Sequence, residues 1–437
     1  MSTPAEQQAE QWLHAFIDSE YTLPQSPAAF NLPRVKALLT LLGNPQTHYP
    51  AVLIAGTKGK GSTAALLEAM LRASGLRVGL YTSPHLHHFH ERIQVDRRLI
   101  TAAAVTAGVA ALRPLVAHLD PALGDLSIYE VQTALALAHF AASRVEIAVL
   151  EIGLGGRYDA VNAVTPRLAA ISALSLDHTQ SLGPTVADIA FQKAGIIRPG
   201  VPVVTVPQPP EALAVLVQVA AEQGAPLFLA TPSGLQAGVN GPTRPYLAPV
   251  QADTVGLPGL FQLENAQLAS GIALLLRDQG LPLSAATIAT GLATVRWPGR
   301  LETLRERPRL IVDGAHNGAS AQKLMASLRA LVPHRRLILL LGISADKDLT
   351  AIAAALVPHA QTVIVTQTAH PRAATIPALV AAVQPFTLAP VLTAATVAEA
   401  LEVAYRHAAS ADLICATGSL FLVAAVREQC GYAAASA

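Results

Sequence analysis

The chain has 437 residues, 52% of them hydrophobic and 14% charged, with a formal net charge of +1. That length suits two domains with sizeable cores, and the composition excludes a disordered chain. The near-neutral balance argues against a broad footprint for nucleic acid or a membrane surface.

The N-terminus, with Glu6, Gln7, Gln8, Glu10 and Gln11, is polar and acidic, unlike a signal peptide. Strands are predicted at Val52–Ala55, Val78–Thr82, Ile147–Glu151, Leu168–Ala173 and Val203–Val206. Helical patterns fill the gaps between them, as at Ser62–Ser74 and Tyr129–Ala142. Residues Gln223–Leu257, rich in Pro, Gly and Thr, read as irregular strands and loops, and Leu263–Gln279 reads as a helix. A domain boundary is expected within Arg296-Trp297-Pro298-Gly299-Arg300, dividing the chain into residues 1–297 and 298–437. Beyond it, strands are predicted at Leu310–Asp313, Arg336–Leu341, Thr362–Thr366 and Leu413–Ala416. The uncharged stretch 373–398 is long enough to suggest a membrane span. Pro377, Pro385 and Pro390 interrupt it, so it reads as helix, loop and strand. The alternation predicts an α/β fold with parallel sheets and crossover helices. Cys415 and Cys430 form neither a disulfide framework nor a metal pattern, which suits a reducing, cytoplasmic setting.

Gly56-Thr57-Lys58-Gly59-Lys60-Gly61-Ser62 joins the first strand to a helix. Glycines there turn N–H groups toward an anion, the helix N-terminus adds partial positive charge, and lysine adds a full one. In the common P-loop a Ser or Thr follows the lysine and ligates magnesium; here Gly61 stands in that place. A hydroxyl from elsewhere would then have to serve a metal. Tyr81-Thr82-Ser83-Pro84-His85-Leu86 closes the second strand. The neighbouring His87, His88 and His90 match no standard zinc spacing. Glu151 ends a strand and opens the run Gly153-Leu154-Gly155-Gly156-Arg157-Tyr158-Asp159-Ala160. A carboxylate at that end of a strand sits where α/β sheets bind ligands, and its hard oxygens suit magnesium. Further blocks are Ser127-Ile128-Tyr129-Glu130, Asp177-His178-Thr179, Lys193-Ala194-Gly195-Ile196, Gln262 with Asn265, Trp297-Pro298-Gly299-Arg300 and Asp313-Gly314-Ala315-His316-Asn317.

In spacing and order these blocks resemble the folylpolyglutamate synthase/dihydrofolate synthase family, a branch of the Mur-type ATP-dependent amide ligases. The resemblance runs from Leu32 to about Val423. It implies an N-terminal P-loop ATPase domain of Mur-ligase type and a smaller Rossmann-like C-terminal domain. The implied activity joins L-glutamate to dihydropteroate, to the terminal glutamate of a folate, or to both, through an acyl phosphate. The cofactors implied are ATP and magnesium, two ions by the family pattern. Implied partners are these small molecules alone, with no nucleic acid or membrane, and the chain is expected to be a monomer.

The resemblance also assigns roles. Residues 56–62, Gln262, Asn265, Arg300, Asp313 and His316 would bind nucleotide. Ser83, Glu151, His178 and a carbamylated Lys193 would hold the metals, and Lys60, Lys193, His178 and Arg300 would carry the chemistry. Ser127, Ile128, Tyr129 and Glu130, with Tyr158, Asp159 and Ala160, would meet the pteridine or pteroate. An aromatic such as Tyr129 can stack on a pteridine or simply fill a core. Two positions depart from the usual bacterial pattern. Lys58 stands in place of Asn, and Gln192 in place of the Glu before Lys193. A peptidoglycan ligase of Mur type is disfavoured by Ser83-Pro84-His85, the Lys193 block and the two-domain length. A plain P-loop ATPase is disfavoured by Gly61 and the second α/β domain. A non-catalytic relative would be expected to lack Lys60, Glu151 or His178.

Overall fold

Short runs of branched aliphatic residues, with no charge until their last position, form strands buried on both faces, as parallel sheets require. The computed structural model describes residues 3–16 and 31–432. Among these, ten strands form one sheet, in the order Thr243–Arg244, Gly234–Ala237, Leu227–Thr231, Val203–Thr205, Leu168–Ile171, Ala51–Ala55, Ile147–Glu151, Val78–Tyr81, Ile93–Val95 and Arg98–Leu99. The six strands from Leu227–Thr231 to Val78–Tyr81 are parallel, and short antiparallel strands close both edges. A second sheet runs Glu302–Glu306, Arg309–Asp313, Leu413–Thr417, Leu337–Leu341, Thr362–Thr366 and Leu392–Ala394, parallel but for its first pair.

Each sheet has a core on both faces. On one face of the first sheet lies the helix Lys60–Ala73, buried from Ser62 to Leu71. It is sandwiched there because Phe261–Asp278 and Ala285–Thr294 pack over it with their own apolar faces. The buried core of the first sheet ends at Val295, with Trp297 packed on its margin, and that of the second begins at Leu301. The stretch 373–398 forms the helix Ile376–Val383, a short 3-10 turn and the strand Leu392–Ala394. No described helix is long and apolar enough to cross a membrane.

On the other face, Ser127 caps the helix Ile128–Ala142 in a capping box with Glu130. The Glu130 carboxylate also takes a bidentate pair from Arg34 of the helix Leu32–Leu41, at 2.8 Å to each oxygen. Both side chains are largely buried. Removing one partner of such a pair leaves an uncompensated charge, at a cost of about 3–5 kcal/mol. Arg34→Met should therefore lower the first urea-unfolding transition by about 3 kcal/mol. A loss below about 1 kcal/mol, the range of surface pairs, would contradict that role.

Candidate active site

The carboxyl ends of both parallel sheets line one cavity of about 460 Å³. The loop 56–62 follows the strand Ala51–Ala55, which lies between Leu168–Ile171 and Ile147–Glu151. This is the switch point at which open α/β sheets bind ligands. From the second sheet come Asp313 to His316, Ser344, Lys347, Arg372 and Ser419 to Phe421.

Two backbone donors of the phosphate loop are already used. Thr57 and Lys58 both donate their N–H to the carbonyl of Ala173, at 3.0 and 3.1 Å. The N–H groups of Gly59, Lys60, Gly61 and Ser62 have no backbone partner among the described residues. They form the uncapped N-terminus of the helix Lys60–Ala73, where partial positive charge gathers. Gly59 has φ +89°, and a Cβ there would meet Asn265 Oδ1. Asn265 donates to Gln262 at 2.8 Å, and Gln262 donates to Ser62 Oγ at 3.3 Å. Gln262 is thus spent bracing the loop, away from the cavity, whereas Asn265 reaches its wall. At Gly61 a Cβ would press on Glu151 Oε2 and the Trp297 ring, each at 3.3 Å. A Ser or Thr there would crowd the Glu151 carboxylate, which would have to shift by a few tenths of an ångström.

Seven cationic side chains line the cavity: Lys58, Lys60, Lys193, Arg300, Lys323, Lys347 and Arg372. Lys58 and Lys347 pair with Asp177, Lys323 with Glu264 and Arg372 with Asp346. Among the described residues Lys60, Lys193 and Arg300 have no ion pair. Among the described residues the Arg300 side chain donates one hydrogen bond, to the Gly299 carbonyl at 3.3 Å. Lys193 is pushed down to about 7, by burial first and then by the nearby Lys60 charge. An amine with that value is substantially neutral near pH 7.

Glu151 is buried, and its Oε2 accepts the Ser83 N–H at 3.2 Å. Burial raises its carboxyl, and Lys60 partly offsets that. His178 sits at φ 49°, a strained position for a non-glycine residue. Its Nδ1 is buried without a hydrogen-bond partner. Burial lowers it to about 3 despite Asp177, so the ring is neutral, the form that ligates metals. An orphaned imidazole nitrogen, a buried carboxylate and a serine hydroxyl fit divalent metals that complete their shells with water and phosphate oxygens. No described group of three or more His, Cys, Asp and Glu could hold a metal by itself.

Asp313 closes a strand and accepts the N–H of Leu301 and of Ala315, each at 2.9 Å. It thereby shapes the turn that presents Arg300 and the loop that presents His316. His316 Nδ1 lies 2.7 Å from the Gly314 carbonyl, which leaves Nε2 to accept from Lys58, also at 2.7 Å. The pteroate candidates divide. Tyr129 and Asp159 line the cavity, while Ser127, Ile128, Glu130, Tyr158 and Ala160 do not. The Tyr129 hydroxyl donates to Asp159 at 3.3 Å and accepts from the Gly153 N–H at 3.0 Å. Burial raises Asp159 to about 6, against the N–H donors of Leu154 and Val161. Ser127 is engaged with Glu130, and Glu130 also with Arg34. Tyr158 is exposed beside a side recess shared with Leu154, Gly155, Gly156, Ser181, Leu182 and Gln192. Of the loop histidines, His85 accepts from Arg92 at 2.8 Å, and His87 lies between Glu428 and Arg427.

Sequence reasoning left Asp177 without a role, although four groups converge on it. Lys58 and Lys347 donate at 2.7 and 3.0 Å, the His178 N–H at 3.0 Å, and His316 Nε2 lies 3.8 Å away. Burial opposes its ionisation, but its contacts with His316, Lys58, His178 and Lys347 hold it far below the usual carboxylate range. Lys347 belongs to the block Asp346-Lys347-Asp348, which the family resemblance includes without a role. Arg372 and Phe421 went unassigned, and their one signal was position past a strand of the second sheet.

The family described as Mur ligase, glutamate ligase domain, matches residues 299–420. A dihydrofolate synthase/folylpolyglutamate synthase of Mycobacterium tuberculosis is 36% identical over 408 residues, 87% of this chain and 83% of that one. The chain belongs to the folylpolyglutamate synthase/dihydrofolate synthase family. It is accordingly an ATP-dependent ligase. The solved Mycobacterium tuberculosis folylpolyglutamate synthase, complexed with ADP and AMPPCP, has a TM-score of 0.83 at 32% identity and 98% coverage of both chains. The bifunctional synthase of Yersinia pestis, complexed with AMPPNP and a Mn ion, has a TM-score of 0.78 at 30% identity, covering 92% of this chain and 93% of that one.

If Ser83 supplies the hydroxyl that Gly61 cannot, Ser83→Ala should raise the magnesium concentration for half-maximal activity several-fold. The check is a magnesium titration at saturating ATP. An unchanged curve would assign that metal to another group.

Proposed function

We propose that the chain joins L-glutamate to dihydropteroate and to the terminal glutamate of reduced folates, with ATP and two magnesium ions. The observation that carries this reading is the gathering of Lys60, Arg300 and the depressed Lys193 amine, none of them ion-paired among the described residues, around a helix N-terminus between two domains. Unpaired cations in a partly desolvated cleft repel one another, and a triphosphate relieves that repulsion.

In this reading residues 1–297 are the nucleotide domain with the folate wall, and residues 298–437 carry the glutamate site. The match of residues 299–420 to a glutamate ligase domain supports the second assignment. Near-neutral charge argues against a nucleic-acid partner and cysteine usage favours a cytoplasmic setting, while a monomer is what the family resemblance implies.

A carboxylate does not condense with an amine near neutral pH. Its oxygen takes the γ-phosphoryl group of ATP and ADP leaves. The glutamate amine then attacks the acyl carbon and releases phosphate and a proton. Catalysis of such transfer is mainly positioning and charge stabilisation. The free N–H groups of Gly59 to Ser62 would cradle phosphate oxygens, and Lys60 would neutralise them. Arg300, on the linker between domains, reaches them only when the domains are closed. Tyr129 and Asp159 hold the loop 153–156 against the face that would receive the pteroate. Ser83 and Glu151 would hold one metal; His178 and a carbamylated Lys193 would hold the other. Bound metals would screen the phosphate charge. The depressed Lys193 amine suits carbamylation: it adds to CO2 and loses a proton, replacing a cation by an anionic ligand.

The direct test is ATP-dependent incorporation of labelled glutamate, with dihydropteroate and tetrahydrofolate supplied separately. Both should be extended; incorporation into neither would overturn the reading, and into one alone would narrow it. Lys60→Ala and Lys193→Ala should each lower kcat by about a hundredfold or more, the scale of lost charge stabilisation. Short carboxylic acids should restore activity in part to Lys193→Ala and not to Lys60→Ala. Near-normal turnover in folded Lys60→Ala protein would remove the phosphate-loop assignment.

A further inference from the structure

Lys58 and Lys60 lie two residues apart in one loop, yet their surroundings differ. Lys60 has no hydrogen bond or ion pair among the described residues, and nothing holds it away from a phosphate. Two of the three Lys58 N–H donors are directed elsewhere, to Asp177 Oδ2 and to His316 Nε2, both at 2.7 Å. Asp177 follows the strand Leu168–Ile171 of the first sheet, whereas His316 follows Arg309–Asp313 of the second. Lys347, which follows Leu337–Leu341 of the second sheet, closes the arrangement by donating to Asp177 Oδ1 at 3.0 Å. Two loops of each domain are thus joined through one carboxylate and one imidazole.

The side chains of Lys58, Asp177 and Lys347 are only 19%, 9% and 11% exposed, so solvent screens the contact weakly. Breaking it on one side strands charge in a half-dry cleft, which opposes opening. We propose that Lys58 is a positioning residue: with Asp177 it latches the phosphate loop to His316 and Lys347, and so sets domain closure rather than gripping nucleotide. The proposal rests on the ATP-ligase reading for its kinetic consequence, but the contact itself joins the domains with or without nucleotide. It also separates the two lysines of the loop by task, Lys60 for phosphate and Lys58 for closure.

The test compares wild type, Lys58→Met and Lys347→Met as full chains, each checked for folding by circular dichroism. Three quantities are measured. They are the radius of gyration by small-angle scattering, the Kd of a non-hydrolysable ATP analogue with magnesium, and kcat for glutamate ligation. Both variants should expand the particle, with and without the analogue. Both should lose about tenfold or more in kcat while the analogue Kd moves by less than about threefold. Lys347→Met acts from the other domain, so agreement between the two variants rules out a purely local defect of the loop. A Kd raised about tenfold or more with an unchanged radius would overturn the proposal and make Lys58 a phosphate ligand. Unchanged radius and kcat in folded variants would overturn it outright. If wild type neither binds the analogue nor ligates glutamate, the ligase reading falls, while the nucleotide-free scattering still decides the latch.

Discussion

Two cations without a carboxylate partner among the described residues, Lys60 and Arg300, gathered with the depressed Lys193 amine at the N-terminus of a buried helix, are the constraint around which the structure is arranged. Lys60, Lys193 and Arg300 come from the loop 56–62, a helix end and the segment between the two sheets. Asp313 fixes the backbone beside Arg300. Burial and Lys60 depress Lys193. The sheets, with their carboxyl ends toward one cavity, bring these groups together and set Glu151, Ser83 and His178 among them.

The remaining charges of the cleft are balanced with little excess. Asp177 carries two ammonium groups, Glu264 carries Lys323, and Asp346 carries Arg372. Paired cations contribute closure and shape. Unpaired ones attract a polyanion. The distinction follows from desolvation: a charge in a half-dry cleft needs either a protein counterion or a ligand that supplies one.

Much of the first domain was legible in the sequence because its strands are apolar runs of four or five residues that end in chemistry-bearing loops. Ile147–Glu151 lies where the apolar run puts it, and so does Thr362–Thr366 in the second domain. The edge strand Glu302–Glu306 was not legible, since it is charged and largely exposed and carries no apolar signal. At the site, motif spacing led to the phosphate loop, Glu151 and His178. It could not show that Gln262 and Glu130 are spent on bracing, because that depends on which distant side chain arrives first. Arg34 reaches Glu130 across 96 residues of chain. Asp177 escaped assignment for the same reason. Its weight comes from Lys58 and from Lys347, 170 residues away.

The central claim is that the cleft transfers phosphoryl from ATP to a carboxylate before the amine arrives. The most direct measurement uses a folate substrate labelled with oxygen-18 in the reacting carboxylate, with mass analysis of the phosphate released during glutamate addition. An acyl phosphate passes one substrate oxygen to that phosphate, so the account predicts one labelled oxygen per turnover. Release of unlabelled phosphate alongside full product formation would contradict it.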